Sequence, residues 1–206
     1  MHQPIEHNKS RPTSAATLLA SARQAVALTG AGISVPSGIP DFRSAGGLWS
    51  HFRPEEYATL EVFLQNPAKS WQLFRAMARM LTDKKPNPAH YALAALEQKG
   101  YLTAVVTQNI DGLHQAAGSS RVVEMHGGSQ VLHCLRCGHE QDLDAAQLEA
   151  DGVPGCPECA FALKPKVVLF GEDVAELESV RRLAADCDVL LVIGTSAQVY
   201  PAATLP

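Results

Sequence analysis

The chain has 206 residues, enough for one or two domains, and 46% of them are apolar against 18% charged. A net charge of −4 and a pI near 6.0 exclude a nucleic-acid grip held by a basic surface, and no stretch is long and apolar enough to span a membrane. The polar start MHQPIEHNKSRPTS lacks the apolar run of a signal peptide, so a cytoplasmic protein is expected.

TSAATLLASAR (13–23) predicts a helix capped by Thr13 or Ser14. AVALTG (25–30) predicts a short buried strand that ends in glycine. In the loop that follows, TGAGISVPSGIPDFR, Gly30 and Gly32 allow a tight turn and a close backbone approach to a pyrophosphate. The dinucleotide fingerprint asks for a third glycine where Val35 stands, so the G-x-G alone is weak evidence, and a plain strand-to-loop turn explains it about as well. The next stretch, SGIPDFRSAGGLW, sets Asp41, Phe42, Arg43 and Trp49 in one loop, which suits a mobile lid over a cofactor.

Residues 67–82 place Trp71, Phe74, Met77, Ala78 and Leu81 at helical spacing. NPAHYALAALEQKG (87–100) predicts another helix, with Pro88 in its first turn and Gly100 as its stop. TAVVTQ, RVVEMHG, PKVVLFG and DVLLVIGTS predict further short strands. Several are apolar almost throughout, as strands of a parallel sheet are when both faces are buried. Strands alternating with helices give an α/β fold, a Rossmann-like parallel sheet with helices on both faces. The expected Rossmann-like unit covers residues 1–130 and 165–206, and residues 131–164 form a small inserted module.

That module holds Cys134, Cys137, Cys156 and Cys159. Two C-x2-C knuckles separated by eighteen residues match the spacing of a zinc ribbon. Four thiolates complete a tetrahedral zinc and leave no position for water, so the ion is structural. His133 and His139 are then read as surface residues. The ribbon lacks a dense basic face, so no direct nucleic-acid binding is expected. Cys187, before a strand, reads as a small buried hydrophobe.

Ligands of an open parallel sheet bind beyond the carboxyl ends of its strands. The predicted strands end in GAGIS, TQNID, EMHGG, FGE and GTS, and this convergence marks a site. TQNIDGLH crowds Thr107, Gln108, Asn109, Asp111 and His114 into the end of an apolar run. His126 stands at a strand end before two glycines. A lone histidine is more often structural than catalytic, yet this context makes it a general-base candidate. His90, at a helix start, is read as packed.

The ordered set GAGIS, SGIPDFR, TQNIDGLH, MHG, the two cysteine knuckles, VVLFGE and GTS resembles the sirtuins, NAD-dependent protein lysine deacylases, from about residue 15 to 202. The resemblance implies that Gly30, Ala31, Gly32 and Ser34 hold the NAD phosphates and ribose. Asp41, Phe42 and Arg43 would sit on the flexible cofactor loop. Gln108 would contact the ribose, and Asn109, Ile110 and Asp111 would line the nicotinamide pocket, with Asn109 also catalytic. Gly194, Thr195 and Ser196 would close the adenosine side. Val167, Val168, Leu169, Phe170 and Gly171 would line the acyl-lysine tunnel and pair with substrate backbone as an added strand.

The implied chemistry consumes NAD as a co-substrate. The acyl oxygen of the acyl-lysine attacks the nicotinamide ribose, nicotinamide leaves and an alkylimidate forms. His126 deprotonates a ribose hydroxyl, and the products are lysine and O-acyl-ADP-ribose. Sirtuins specialised for succinyl-lysine carry a Tyr-x-x-Arg pair after a tryptophan; with Trp71 as the anchor, Phe74 and Met77 stand there, which predicts acetyl or longer apolar acyl groups. Arg75 and Arg79 leave the registration open. Family members continue for a few dozen residues past the point where VYPAATLP ends, so an uncovered sheet edge and an incomplete adenine pocket are expected. The alternative reading is therefore a catalytically weak sirtuin-like fragment acting as a binding or interaction module.

Overall fold

The computed structural model describes residues 11–206. The polar N-terminal stretch before Arg11 lies outside the described residues. In chain order, α1 (Arg11–Ser21) leads into β1 (Ala25–Thr29). Two 3-10 helices, Ala31–Ser37 and Leu48–Ser50, occupy the loop before α2 (Pro54–Tyr57), α3 (Leu60–Gln65) and α4 (Pro67–Leu81). Then come α5 (Pro88–Gln98), β2 (Ala104–Thr107), α6 (Leu113–Ala116) and β3 (Val122–Glu124). β4 (Gly127–Cys134), β5 (Glu140–Asp142), α7 (Ala145–Glu149) and β6 (Leu163–Val167) follow. The series closes with α8 (Leu177–Asp186), β7 (Val189–Ile193) and a third 3-10 helix, Ala202–Thr204.

β1 can be central because its first four side chains are apolar on both faces, and all five of its residues are buried. It lies between β2 and β7 in an all-parallel sheet of order β3-β2-β1-β7. Ala25, Ala27 and Val105 pack with Leu19 of α1, Ala22 just after it, and Leu93 and Leu96 of α5 on one face. Val26, Leu28 and Val106 pack with Leu177, Val180 and Leu183 of α8 on the other. Each fully buried Val or Leu stabilises the fold by roughly 1.5–3 kcal/mol. The helices therefore cover both faces, as expected. The chain leaves β1 toward β2 on one side, while β7 arrives on the other. The order reverses between β1 and β7, the place where such sheets bind ligands.

A second sheet, of order β5-β4-β6, is antiparallel. Its strands begin at Gly127 and end at Val167, on either side of the segment 131–164. One expectation changes here. PKVVLFG does not join the parallel sheet; its first half is β6, paired with β4, and Val168–Gly171 runs on beyond the strand. An apolar run of that length has no period that separates the two sheet types. α1 runs from Arg11, so Thr13 and Ser14 lie within its range, and the side chains of the expected caps lie outside the described residues.

α4 joins the two layers. Its buried face, Trp71, Leu73, Phe74 and Met77, packs against Leu132, Cys134, Cys156 and Leu163. The Trp71 indole N–H donates to Leu163 O across 2.8 Å. α5 starts as its sequence requires: Asn87 accepts from Ala89 N–H, Pro88 fills the first turn, and Gly100 follows the end at φ +77. No helix among the described residues is long and apolar enough to cross a membrane.

Candidate functional site

A cavity of about 650 Å³ opens at the carboxyl ends of the parallel strands and extends to α4 and the end of β6. That volume suits a drug-sized or cofactor-sized ligand. Its floor is built where β1 and β7 end. Gly30 N–H donates to Ile193 O (3.1 Å) and Gly32 N–H to Gly194 O (2.8 Å), so the two loops touch backbone to backbone. A Cβ on Gly32 would stand 2.8 Å from Gly194 O, and Gly194 itself has φ +63. Only glycines permit this seam. Gly30, Ala31, Gly32, Gly194, Thr195 and Ser196 all line the cavity, which leaves backbone at its surface for a pyrophosphate.

The polar residues that end β2 divide into two layers. Gln108, Asn109 and Ile110 reach the cavity wall, and Gln108 Nε2 donates to Thr195 Oγ1 across 2.8 Å, bridging the β2 and β7 ends. Ser34 and Asp111 do not line this cavity. They lie in a small adjoining recess with Asn109 and Ile110. Ser34 is fully buried; its hydroxyl donates to Asp111 Oδ2 (2.7 Å) and accepts from Asn109 Nδ2 (3.1 Å). His90 Nδ1 accepts from Asn87 N–H (3.3 Å), so Nε2 carries its proton and points it at Ser34 Oγ across a long 3.5 Å. Ser34 thus acts behind the cavity wall, orienting Asn109 and Asp111.

His114 belongs to the same lower layer. Thr29 Oγ1 donates to Thr107 Oγ1 (2.8 Å), so the 2.9 Å bond between Thr29 and His114 Nε2 must use a proton on Nε2. His114 Nδ1 is then a bare acceptor, with no partner among the described residues. Burial is the main force driving its pKa down to about 4, helped by His90 and opposed by Asp111. Burial likewise lowers His90, against the pull of Asp111. Both rings are neutral structural members, in keeping with the packed role expected for His90.

His126 is different, because it lines the cavity. Its Nδ1 lies 2.9 Å from Gln108 O, which can only accept, so Nδ1 carries the proton and Nε2 keeps its lone pair. Burial holds its pKa below the usual value, with the Gln108 bond opposing, and keeps the ring neutral at pH 7. The carbonyl of His126 accepts from Val168 N–H (2.8 Å), and Phe170 is tied to Ala58 O and Leu60 N–H. Val167, Val168, Leu169, Phe170 and Gly171 therefore run along the cavity wall beside His126.

The cofactor-loop residues Asp41, Phe42 and Arg43 also line the cavity, and the Phe42 and Trp49 rings lie 5.1 Å apart. Asp41 is engaged within its own loop, accepting from Arg43 N–H (2.9 Å), Ser44 N–H (2.6 Å) and Ser44 Oγ (2.6 Å). These bonds, the Ser44 hydroxyl first, hold its carboxyl below the usual range.

The four cysteines converge from both knuckles. Their sulfurs all lie within 4.8 Å of one another, with Cys134–Cys159 and Cys137–Cys156 at 3.5 Å. A tetrahedron of sulfurs about 2.3 Å from zinc has edges of about 3.8 Å, so the cluster fits one structural ion. The surface expectation needs correction at both histidines. His133, on β4 opposite Lys164 of β6, is half-buried with Nε2 unpartnered, and His139 is half-buried with Nε2 3.3 Å from Gln141 Oε1.

The Sir2 family model matches residues 30–201. An NAD-dependent protein deacylase of Pyrococcus abyssi is 46% identical over 197 residues, covering 93% of this chain and 79% of the relative. The chain belongs to the Sir2 family. A solved Sir2 homologue in complex with NAD superposes with a TM-score of 0.86 at 38% identity, covering 100% of this chain and 79% of that one. A Sir2 protein bound to a deacetylated peptide and 3'-O-acetyl ADP-ribose superposes with a TM-score of 0.84 at 37% identity, covering 94% and 80%. The resemblance to sirtuins read from the motifs is thus confirmed at the level of family and fold.

Within this Sir2-family chain, the structure adds wall residues that the motifs did not mark. Leu73 of α4 lies on the wall with Phe74 and Met77, as do Val199, Tyr200 and Pro201 beyond β7. Leu73 carried a usable signal, the apolar spacing of α4. The residues after β7 carried none.

Proposed function

We propose that this Sir2-family chain is an NAD-dependent protein lysine deacylase acting on acyl-lysine side chains of proteins. The supporting observation is His126, held by Gln108 O with Nε2 free, on a wall shared by the glycine seam and the Val167–Gly171 strand. When bound, NAD supplies an electrophilic ribose carbon and nicotinamide as the leaving group. Overall, acyl-lysine, NAD and water give lysine, nicotinamide and O-acyl-ADP-ribose.

The chain's residues take these roles. Backbone of Gly30, Ala31 and Gly32, facing Gly194, Thr195 and Ser196, holds the diphosphate and adenosine side. Asn109, Ile110 and Asp111 orient the nicotinamide end, with Ser34 fixing Asp111. Gln108 is placed for the ribose, and the loop bearing Asp41, Phe42 and Arg43 covers the site and excludes water. His126 Nε2 takes the proton of a ribose hydroxyl. The peptide adds its backbone to Val167–Gly171. The NAD unit comprises residues 1–130 and 165–206, and residues 131–164 are the zinc module.

α4 sets the acyl preference. Trp71 is fully buried, which places Leu73, Phe74 and Met77 on the cavity wall. Arg75 is turned away: it donates to Leu148 O and Gly152 O and stacks 5.2 Å from Trp71. Arg79 is exposed. A succinyl carboxylate against this wall would lose its water without gaining a cation. The expected substrates are acetyl and longer apolar acyl groups. The cytoplasm is inferred as the compartment, since four cysteines serving as zinc thiolates require reducing conditions. The net charge of −4 supports no nucleic-acid partner.

Incubation with NAD and an acetyl-lysine peptide tests the reading by nicotinamide release. His126→Ala is expected to lower the rate by about 10²–10⁴-fold, and a succinyl peptide by at least about 100-fold. Equal release from parent and variant would defeat the enzyme assignment, and equal acetyl and succinyl rates would defeat the pocket assignment.

A further inference from the structure

A buried ion pair at the end of β6 is used neither by the NAD chemistry nor by the zinc. Lys164 is 1% exposed and its Nζ lies 3.1 Å from Glu172 Oε2, with Glu172 only 12% exposed. The same ammonium donates to Val167 O (2.6 Å) and Pro165 O (3.2 Å), so all three of its protons are committed. Glu172 Oε2 also accepts from Leu169 N–H (2.6 Å). Every hydrogen-bond partner of the pair lies between residues 165 and 172. The pair therefore closes the segment Val167–Glu172 on itself, from below, at the point where it leaves the sheet and lines the cavity.

The position of that segment matters to His126. Val168 N–H donates to the carbonyl of His126, and Phe170 is bonded on its other side to Ala58 and Leu60. A shift of the segment would move the peptide register relative to the base. Burying a lysine in an apolar strand costs free energy, and replacing a buried ion pair by apolar groups is often neutral or stabilising. Stability alone is thus a weak reason for this pair.

We propose that Lys164 and Glu172 are positioning residues that set the register of the bound acyl-lysine peptide by fixing Val167 O and Leu169 N–H. This rests on the reading of Val167–Gly171 as the peptide-binding strand. Glu172 touches the cavity, but no bond of the pair reaches the glycine seam, so the seam's hold on NAD is expected to be independent of it.

The test uses the full chain loaded with zinc. Lys164→Met leaves a buried carboxylate and can fail to fold, so the deciding variant is Lys164→Met with Glu172→Gln. This removes both charges and keeps an acceptor for Leu169 N–H, but supplies no donor to Val167 O. The expected result is a melting temperature and zinc content like the parent, an unchanged KM for NAD, and a KM for acetyl-lysine peptide raised roughly tenfold or more. A parental peptide KM, or equal rises for peptide and NAD, would overturn the proposal. Phe170→Ala run in parallel tests the underlying reading. A raised peptide KM there, with a parental value in the double variant, defeats the positioning role alone. An unchanged KM in Phe170→Ala removes the strand assignment and the proposal with it.

Discussion

The parallel sheet and the cysteine sheet both present an edge to the same cavity, yet they are held rigid by different means. In the first, Val26, Ala27, Ala104 and Val105 are completely buried, and helices cover both faces. In the second, β5 is largely exposed and α7 buries no residue. Its apolar contribution comes mainly from Leu132 and Leu163, which share a core with α4 and two of the cysteines. So short an antiparallel sheet is marginal by itself. Four thiolates drawn together on a metal supply the fixation that burial supplies elsewhere.

The strongest way to break this contrast is to remove the metal. Structural zinc contributes on the order of 10 kcal/mol to the folding of small modules. Cys134→Ala with Cys137→Ala, or chelation of the parent, is expected to unfold the cysteine sheet. Because the Trp71 indole is bonded to Leu163 O, the acyl wall should loosen with it. Loss of near-UV dichroism from Trp71 and of deacylation would accompany zinc release. A zinc-free protein that keeps both would show that packing, not metal, holds this sheet.

A smaller effect is expected at the β1–β7 seam, where the parallel sheet depends on missing side chains. Gly32→Ala puts a Cβ 2.8 Å from Gly194 O, the acceptor of the Gly32 N–H. Backbone must separate, at a cost of about 1–3 kcal/mol. The expected outcome is a lower melting temperature and a KM for NAD raised at least about tenfold, with little change for peptide. Parental NAD kinetics would remove the seam from the cofactor site.

The contrast also explains what the sequence could disclose. β1 was legible because a short apolar run that stops at a glycine reads as a buried strand, and the cysteines because metal spacing is a local rule. The polar crowd at 107–114 was legible as a site but not as two layers. Its division depends on Ser34 meeting Asp111 and on His114 meeting Thr29, contacts made only when distant segments fold together. PKVVLFG was misplaced because its partner, β4, is chosen by the module's closure and not by its own pattern. Lys164, the residue just before that run, gave no sign of its role because its partner, Glu172, lies past the strand end.

The lower polar layer also makes the parallel sheet sensitive to pH. His114 has a pKa of about 4 in the fold against an ordinary 6.5. Between these values the unfolded chain binds more protons than the folded one, so stability falls as pH drops from about 6.5 toward 4. Above that window the neutral ring is present in both states and the contribution is complete. The full displacement corresponds to roughly 3 kcal/mol. His90 adds to it in the same direction. Carboxylates titrate over the lower part of this range, so the informative quantity is the difference between parent and His114→Gln. The variant should melt lower at pH 7.5, having lost the bond to Thr29, but its melting temperature should decline less steeply between pH 6.5 and 4.5. Parallel declines would mean that His114 accepts a proton without disturbing the layer, and that its bare Nδ1 is reached by water.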